Sequence, residues 1–241
     1  MQLSDCFHFM VQTGNGSTLT EGIKSTATTA TVVNSPNGLL LQAFAQSQDY
    51  PDAALISAEI LADDMGVNFG PQRRAGAVRE AQELAAMSFN ESLQNVHEYL
   101  QSTAHQKGWT QARVSIAAAQ FCCGQFSLCV QGDYDILRYS DHQLKSLLDR
   151  YNTGYLGGEA RRKAQIMHYG LDRGELLLIM QKQHLAALGG EFLETNLGRF
   201  GENLDIAVKQ INIHARREHL NLKPPLILCA PLKVKSKKWF A

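Results

Sequence analysis

Short apolar runs separated by turn residues dominate the first third of the chain. Residues 6–12 alternate weakly, and 28–33 are rich in β-branched side chains. Asn34-Ser35-Pro36-Asn37-Gly38 then leads into a second apolar run, 38–44, which together predict a hairpin. After a polar loop (45–52) the period changes. Asp52 is placed to cap a helix over 53–65, with Leu55, Ile56, Ile60 and Leu61 on one stripe. Gly70 and Pro71 punctuate. Val78, Leu84, Ala85, Met87, Leu93, Val96 and Leu100 then predict a longer helix over roughly 75–105, ended at Lys107-Gly108.

Strand-like runs return at 113–121, 125–131 and 134–139. The turns Cys123-Gly124-Gln125 and Gly132-Asp133 separate them, so the expectation is an antiparallel meander. A helix is expected over 141–151 and a short edge strand over 166–168. The turn Asp172-Arg173-Gly174 feeds a buried strand over 176–180, with helix following to about 196. Ile206, Val208, Gln210 and Asn212 alternate with Ala207, Lys209 and Ile211, which predicts a last strand over 204–213. Runs of strands, then helices, then strands indicate an α+β protein with antiparallel sheets and helices outside. No repeat or linker divides it, so one domain is expected over 1–222. Residues 223–241 read as a tail that is first apolar and then basic. Lys235, Lys237, Lys238 and Trp239 there are either a solvated terminus or a docking element for an acidic partner.

The chain's 241 residues suffice for a sizeable core, and 44% hydrophobic with 19% charged residues is ordinary for a globular protein. Its 23 basic and 23 acidic side chains cancel, so no net field favours nucleic acid. Arg73-Arg74 and Arg161-Arg162-Lys163 read as solvated faces. Five cysteines without a CxxC pair read as reduced, mostly buried thiols. No targeting segment is visible, and the apolar runs fall far short of the ~20 residues of a membrane span, so a cytoplasmic protein is expected. There is no Walker loop, GxSxG, HExxH or GxGxxG after a strand. His214 and His219 are five apart and do not stack on one helix face. Just after 176–180, where α/β enzymes often carry a catalytic acid, stand Gln181, Lys182, Gln183 and His184.

Several segments, in order, resemble the metal-dependent serine/threonine phosphatases of type 2C. The run 126–133, ending Gln131-Gly132-Asp133, is similar to the family's strand closing in Gly-Asp-Ser, with Asp141-His142-Gln143-Leu144 following at the right distance. Tyr155-Leu156-Gly157-Gly158 resembles Ala-Leu-Gly-Gly, and Asp172-Arg173-Gly174-Glu175-Leu176-Leu177-Leu178 resembles Gly-Asp-x-Leu-Leu-Leu. Phe200-Gly201-Glu202-Asn203-Leu204 resembles the closing Asp-Asn motif and its strand. The resemblance implies a four-layer αββα sandwich in which an antiparallel β-sandwich is flanked by helix pairs. It also implies two metal ions between the sheet edges.

The acids of that implied metal site do not follow. The early Asn-Glu-Asp falls near Ser25-Thr26-Ala27-Thr28-Thr29, and Asp-Gly-x-Gly-Gly falls on Ala45-Gln46-Ser47-Gln48-Asp49. Ser-Asp-Gly becomes Gln181-Lys182-Gln183, and the final Asp-Asn becomes Glu202-Asn203. Lys24 is the nearest counterpart of the phosphate-gripping arginine. Two divalent ions need several hard anionic ligands, and a lysine among them adds repulsion. The expectation is therefore a non-catalytic, cofactor-free domain that binds an unidentified protein, with no nucleic acid. Asp49, Asp133, Lys182, Glu202 and Asn203 would form the former active-site edge, Lys182 meeting a phosphorylated or acidic segment. The alternative is a working Mn- or Mg-dependent phosphatase with displaced ligands. Asp49 and Glu202 are then the first candidates, beside Asp52, Asp133 and Asp205.

Overall fold

Residues 39–41 and 176–180 are apolar at successive positions, so each strand must be covered on both faces. The computed structural model, which describes residues 7–46, 50, 52–69, 78–122, 124–148, 154–159, 163–218 and 224–232, shows how. In chain order the elements are β1 (Phe7–Gln12), β2 (Gly22–Ser25), β3 (Thr29–Asn34), β4 (Leu39–Ala45), α1 (Ala53–Phe69), α2 (Val78–Lys107), β5 (Val114–Cys122), β6 (Gln125–Gln131), β7 (Tyr134–Ser140), β8 (Gln143–Ser146), β9 (Gln165–Tyr169), β10 (Leu176–Gln181), α3 (Lys182–Leu188), α4 (Gly190–Phe200), α5 (Leu204–Arg217) and β11 (Leu226–Pro231). One antiparallel sheet has the order β1-β11-β10-β7-β8 and the other β2-β3-β4-β5-β6-β9.

Three apolar layers hold the stack together. Between the sheets lie Val33, Leu40, Ala117, Phe126, Ile136, Leu177 and Ile179. Outside the six-stranded sheet, Leu39, Leu41, Ile116 and Ala118 meet α1 and α2 through Ala54, Ala58, Leu61, Phe89 and Leu93. Outside the other sheet, Leu176, Leu178 and Met180 meet α4 and α5 through Leu193, Leu197, Ala207 and Ile211. Neighbouring residues of one strand thus serve different layers, and the result is the αββα sandwich that the resemblance implies.

Four expectations are corrected. The meander is interrupted, because β6 and β7 lie in different sheets. Gly132 (φ 90) makes the switch, its Cα so close to Ser115 that a Cβ would lie 2.4 Å from that hydroxyl. The helix expected over 141–151 is instead, within the described residues, the second arm of the β7–β8 hairpin. Asp141 (φ 50) and His142 (φ 60) form the tight turn whose twist suits two strands. The strand expected over 204–213 is α5. Leu204, Ala207, Val208, Ile211 and Ala215 are buried at helical spacing, while Ile206 and Ile213 project outward. Finally, the apolar part of the expected tail is β11, which pairs with both β1 and β10. The domain therefore runs at least to Pro231. The sequence reading also missed β2, an edge strand exposed at all four positions. The expected edge strand over 166–168 is present as β9.

Candidate functional site

The registers bring six chain segments to one end of the sandwich. Gln12 opposes Leu226, Met180 opposes Leu226, and Gln181 opposes Tyr134, so the end of β1, the start of β11 and the β10–α3 junction meet there. In the other sheet, Thr29 opposes Phe44, Ala45 opposes Val114, and Ile116 opposes Gln131. The β2–β3 turn, the end of β4 and the β6–β7 turn thus join the same end.

Asp133 sits at its centre. The backbone N–H of Asp133 donates to the Ser115 hydroxyl (3.1 Å), and its carbonyl accepts the N–H of Lys182 (2.9 Å). The carboxylate accepts from the Tyr155 hydroxyl and the Gln46 amide (3.3 Å), while Gln46 also reaches Ser115 (3.4 Å). Burial, reinforced by the bond to Asp133, pushes the Tyr155 phenol up to about 12, so it remains a donor at neutral pH. The Arg113 guanidinium lies 6.0 Å from the Tyr155 ring centre. Lys182 opens α3 and is exposed. Nearby, burial raises the Asp135 carboxyl, while a bond from Ser146 and the charge of Lys182 oppose that shift.

Neutral amides surround this rim, those of Gln42 and Gln181 between the sheets and that of Gln12 on the α5 side of its sheet. Gln12, Gln42 and Gln181 are all buried. Gln12 and Asn212 exchange two side-chain hydrogen bonds (2.9 and 2.7 Å), and Gln12 also donates to the Pro224 carbonyl (2.6 Å). Gln42 donates to the Gln12 carbonyl (3.1 Å), and Gln181 donates to the Tyr134 hydroxyl (3.4 Å). The Thr26 and Thr29 hydroxyls pair at 2.7 Å in the β2–β3 turn, where the resemblance places acids. A Cβ at Gly14 would meet Thr29 Oγ1 at 2.2 Å, so the β1 exit and this turn are in close contact.

The remaining predicted residues lie elsewhere. Glu202 is in the α4–α5 turn, and Asn203 caps α5 by accepting from the Ile206 N–H (3.2 Å). Glu202 lines a groove with His8, Tyr139, Leu176 and Leu232, at the opposite end of the five-stranded sheet. A six-residue strand separates the two ends by roughly 17 Å, so Glu202 and Asn203 do not share a site with Asp133 and Lys182. The strand that closes the sandwich is β11, and Pro224-Pro225 precedes it. The Asp-Asn likeness at 202–203 was therefore placed one helix too early. Asp52 begins α1 with its carbonyl accepting from Ile56 (2.8 Å), and Asp205 is exposed in the first turn of α5. Asp49, Lys235, Lys237, Lys238 and Trp239 lie outside the described residues.

These donors do not fit a pair of divalent ions. Among the described residues no three His, Cys, Asp or Glu side chains converge on a metal position. The carboxylate of Asp133 is already bonded to Tyr155 and Gln46, and the amides and hydroxyls around it are neutral, so the described side chains leave most of the four positive charges uncompensated. Sequence reasoning missed Tyr155, Ser115, Gln12 and Gln42. One signal was available: Gln42 interrupts the apolar run Leu39-Leu40-Leu41-Gln42-Ala43-Phe44.

One titrating group lies just behind the rim. His184, on α3, has a buried Nδ1 with no hydrogen-bond partner among the described residues, and burial lowers its pKa. Because the unfolded chain takes up this proton more readily, its contribution is present above the unfolded value near 6.5 and is lost as pH falls below it. Asp135 acts in the opposite sense, its raised pKa favouring the fold as the carboxyl protonates. Thermal unfolding from pH 7.5 to 5 should show a falling midpoint, and His184→Leu should flatten that slope. An unchanged slope in the variant would remove His184 from the account.

No family model and no curated relative matches the chain. Solved structures do. PppA, described as "a key regulatory component of T6SS in Pseudomonas aeruginosa", superposes with a TM-score of 0.71 at 10% identity, covering 94% of this chain and 98% of that one. The Mycobacterium tuberculosis serine/threonine phosphatase PstP/Ppp gives 0.67 at 9% identity, with 93% and 98% covered. The S. agalactiae serine/threonine phosphatase gives 0.65 at 11% identity, with 93% and 99% covered. The fold of this chain is that of the type 2C serine/threonine phosphatases.

Proposed function

We propose that this phosphatase-fold domain binds a protein partner at the Asp133–Lys182 end and does not hydrolyse phosphate by the two-metal route. One observation carries the reading: Asp133 is bonded to Tyr155 and Gln46 within a lining of glutamines and threonines. Such a lining matches neutral hydrogen bonding rather than four positive charges. The exposed Lys182, with Arg113 and Lys24 on the same end, favours an acidic or phosphorylated segment as the partner. A regulatory role fits with that of PppA, a key regulatory component whose fold this chain shares.

The test is hydrolysis of a small aryl phosphate across a manganese titration, with thermal unfolding followed in the same samples. The expected results are background turnover and an unfolding midpoint that manganese does not raise. Turnover that climbs with manganese and disappears in Asp133→Asn would overturn the proposal and establish a phosphatase with displaced ligands. For the binding half, a phosphoserine peptide held by the wild type should lose at least tenfold in affinity with Lys182→Glu. Equal affinity in the two proteins would move the contact elsewhere.

A further inference from the structure

The end of the five-stranded sheet opposite Asp133 carries a groove of about 910 Å³. Its sides come from the start of β1, the β7–β8 turn, the turn before β10, the α4–α5 turn and the end of β11. The charge along it is mainly negative: among the described residues Asp141, Glu175 and Glu202 face a single guanidinium, that of Arg173. Glu175 is engaged by Arg138 (3.5 Å) and the Tyr169 hydroxyl (2.7 Å) and is less exposed than Asp141 and Glu202. The apolar lining is Leu176, Leu197, Pro231 and Leu232, the last 38% exposed. Such a lining disfavours an anion and suits an occupant that is cationic and partly apolar.

The sequence supplies such an occupant at the groove itself. Leu232, one residue past the end of β11, lines the groove, and Lys233-Val234-Lys235-Ser236-Lys237-Lys238-Trp239-Phe240-Ala241 follow it, outside the described residues. Lysines and an aromatic pair thus leave directly from a groove of opposite charge with an apolar side. Extended, residues 233–241 reach up to roughly 30 Å, ample for a groove of this volume. Exposed ion pairs contribute little on their own, so the lysines alone would not hold the segment. Trp239 and Phe240 add apolar area for Pro231 and Leu232 to cover. Attachment at Leu232 supplies the rest, because a segment on a short tether meets its site at an effective concentration in the ~mM range, ahead of a free segment of the same chemistry.

We infer that residues 233–241 dock in this groove of their own chain, the lysines against Asp141 and Glu202 and the Trp239-Phe240 pair against its apolar side. The docked segment straps the exit of β11 to the β7–β8 and α4–α5 turns. It also withholds the groove from any other basic segment until it is displaced. The groove lies at the other end of the sandwich from Asp133 and Lys182, so the inference stands or falls independently of the function proposed there.

The test follows the fluorescence of Trp239 in the full chain, with Trp109→Phe leaving it as the one tryptophan. Acrylamide should quench it several times less efficiently than it quenches a free peptide of residues 231–241, and dilution of the protein should not change this. Asp141→Asn combined with Glu202→Gln should raise quenching to the level of the peptide; Asn tolerates the left-handed backbone at position 141 (φ 50). Lys235→Glu, Lys237→Glu and Lys238→Glu together should do the same without touching the groove, and unfolding midpoints show that each variant is folded. Peptide-like quenching in the parent chain, protection that survives both sets of substitutions, or protection lost on dilution, as docking into a second copy would give, overturns the inference.

Discussion

Gly157→Ala should lower stability by about 3 kcal/mol or more, seen as a urea midpoint roughly 1 M below the wild type. Gly157 adopts φ +70, and a Cβ there would lie 2.1 Å from the Ala112 carbonyl oxygen and 2.9 Å from Leu100 Cβ. Neither neighbour can yield easily: one is backbone and the other is the root of a side chain on α2. The surrounding loop has no slack. The Gly157 N–H donates to the buried His97 Nδ1 (3.1 Å), and Leu156 exchanges two backbone hydrogen bonds with Val114 (both 3.0 Å). Gln101 holds the Gly158 carbonyl at 2.9 Å. Gly174→Ala is the internal reference. Its φ is +85 but nothing lies within 4 Å, so only the left-handed penalty of about 1–2 kcal/mol applies. Equal losses in the two variants would refute the steric argument. The stronger variant should also release the Tyr155 hydroxyl from Asp133, two residues away in the same loop.

Gln12→Ala should cost about 2–3 kcal/mol, because three hydrogen bonds to two neighbours are lost together. Asn212 loses both halves of a reciprocal amide pair, and the Pro224 carbonyl loses its donor. The loss ties β1, α5 and the approach to β11 at a single point. A double-mutant cycle with Asn212→Ala separates this from simple cavity formation. The two single losses should exceed the double by about 1 kcal/mol or more, since either substitution alone strands the other amide. Strict additivity would mean that the pair is not the source of the stability.

Legibility in the sequence tracked how local each signal was. β3 and β4 announced themselves through β-branched and apolar runs around a Gly-containing turn, and α2 through a long helical period. The misreadings arose where two periods overlapped. In α5, Ile206, Val208, Gln210 and Asn212 alternate like a strand, yet Leu204, Ala207, Val208, Ile211 and Ala215 also fit a helix, and packing on β10 and β11 decides for the helix. The helix expected over 141–151 gives way to the edge strand Gln143–Ser146, whose hairpin pairing with β7 lies outside its own sequence window. For the candidate site, Asp133 and Lys182 are legible because the resembling segments place each at the end of a recognisable strand, and the registers put both at one end of the sandwich. The partners of Asp133 come from residues 46, 115 and 155, and no sequence window contains them. Glu202 misled because the motif it resembles is defined by the strand that follows, and that strand begins at Leu226.

The pairing of β1 with β11 has a consequence for how the molecule is made. Phe7 opposes Pro231 and Gln12 opposes Leu226, so the two strands meet across almost the whole chain. During synthesis the six-stranded sheet with α1 and α2 is complete once β9 has emerged, apart from cover on its inner face. The other sheet has to wait: β1 has no partner, and β10 lacks one neighbour, until residues 226–231 leave the ribosome. Contacts of such separation slow folding and leave two unpaired apolar edges exposed in the interval. A nascent chain stalled before residue 226 should accordingly be a chaperone client, and one released beyond 231 should not.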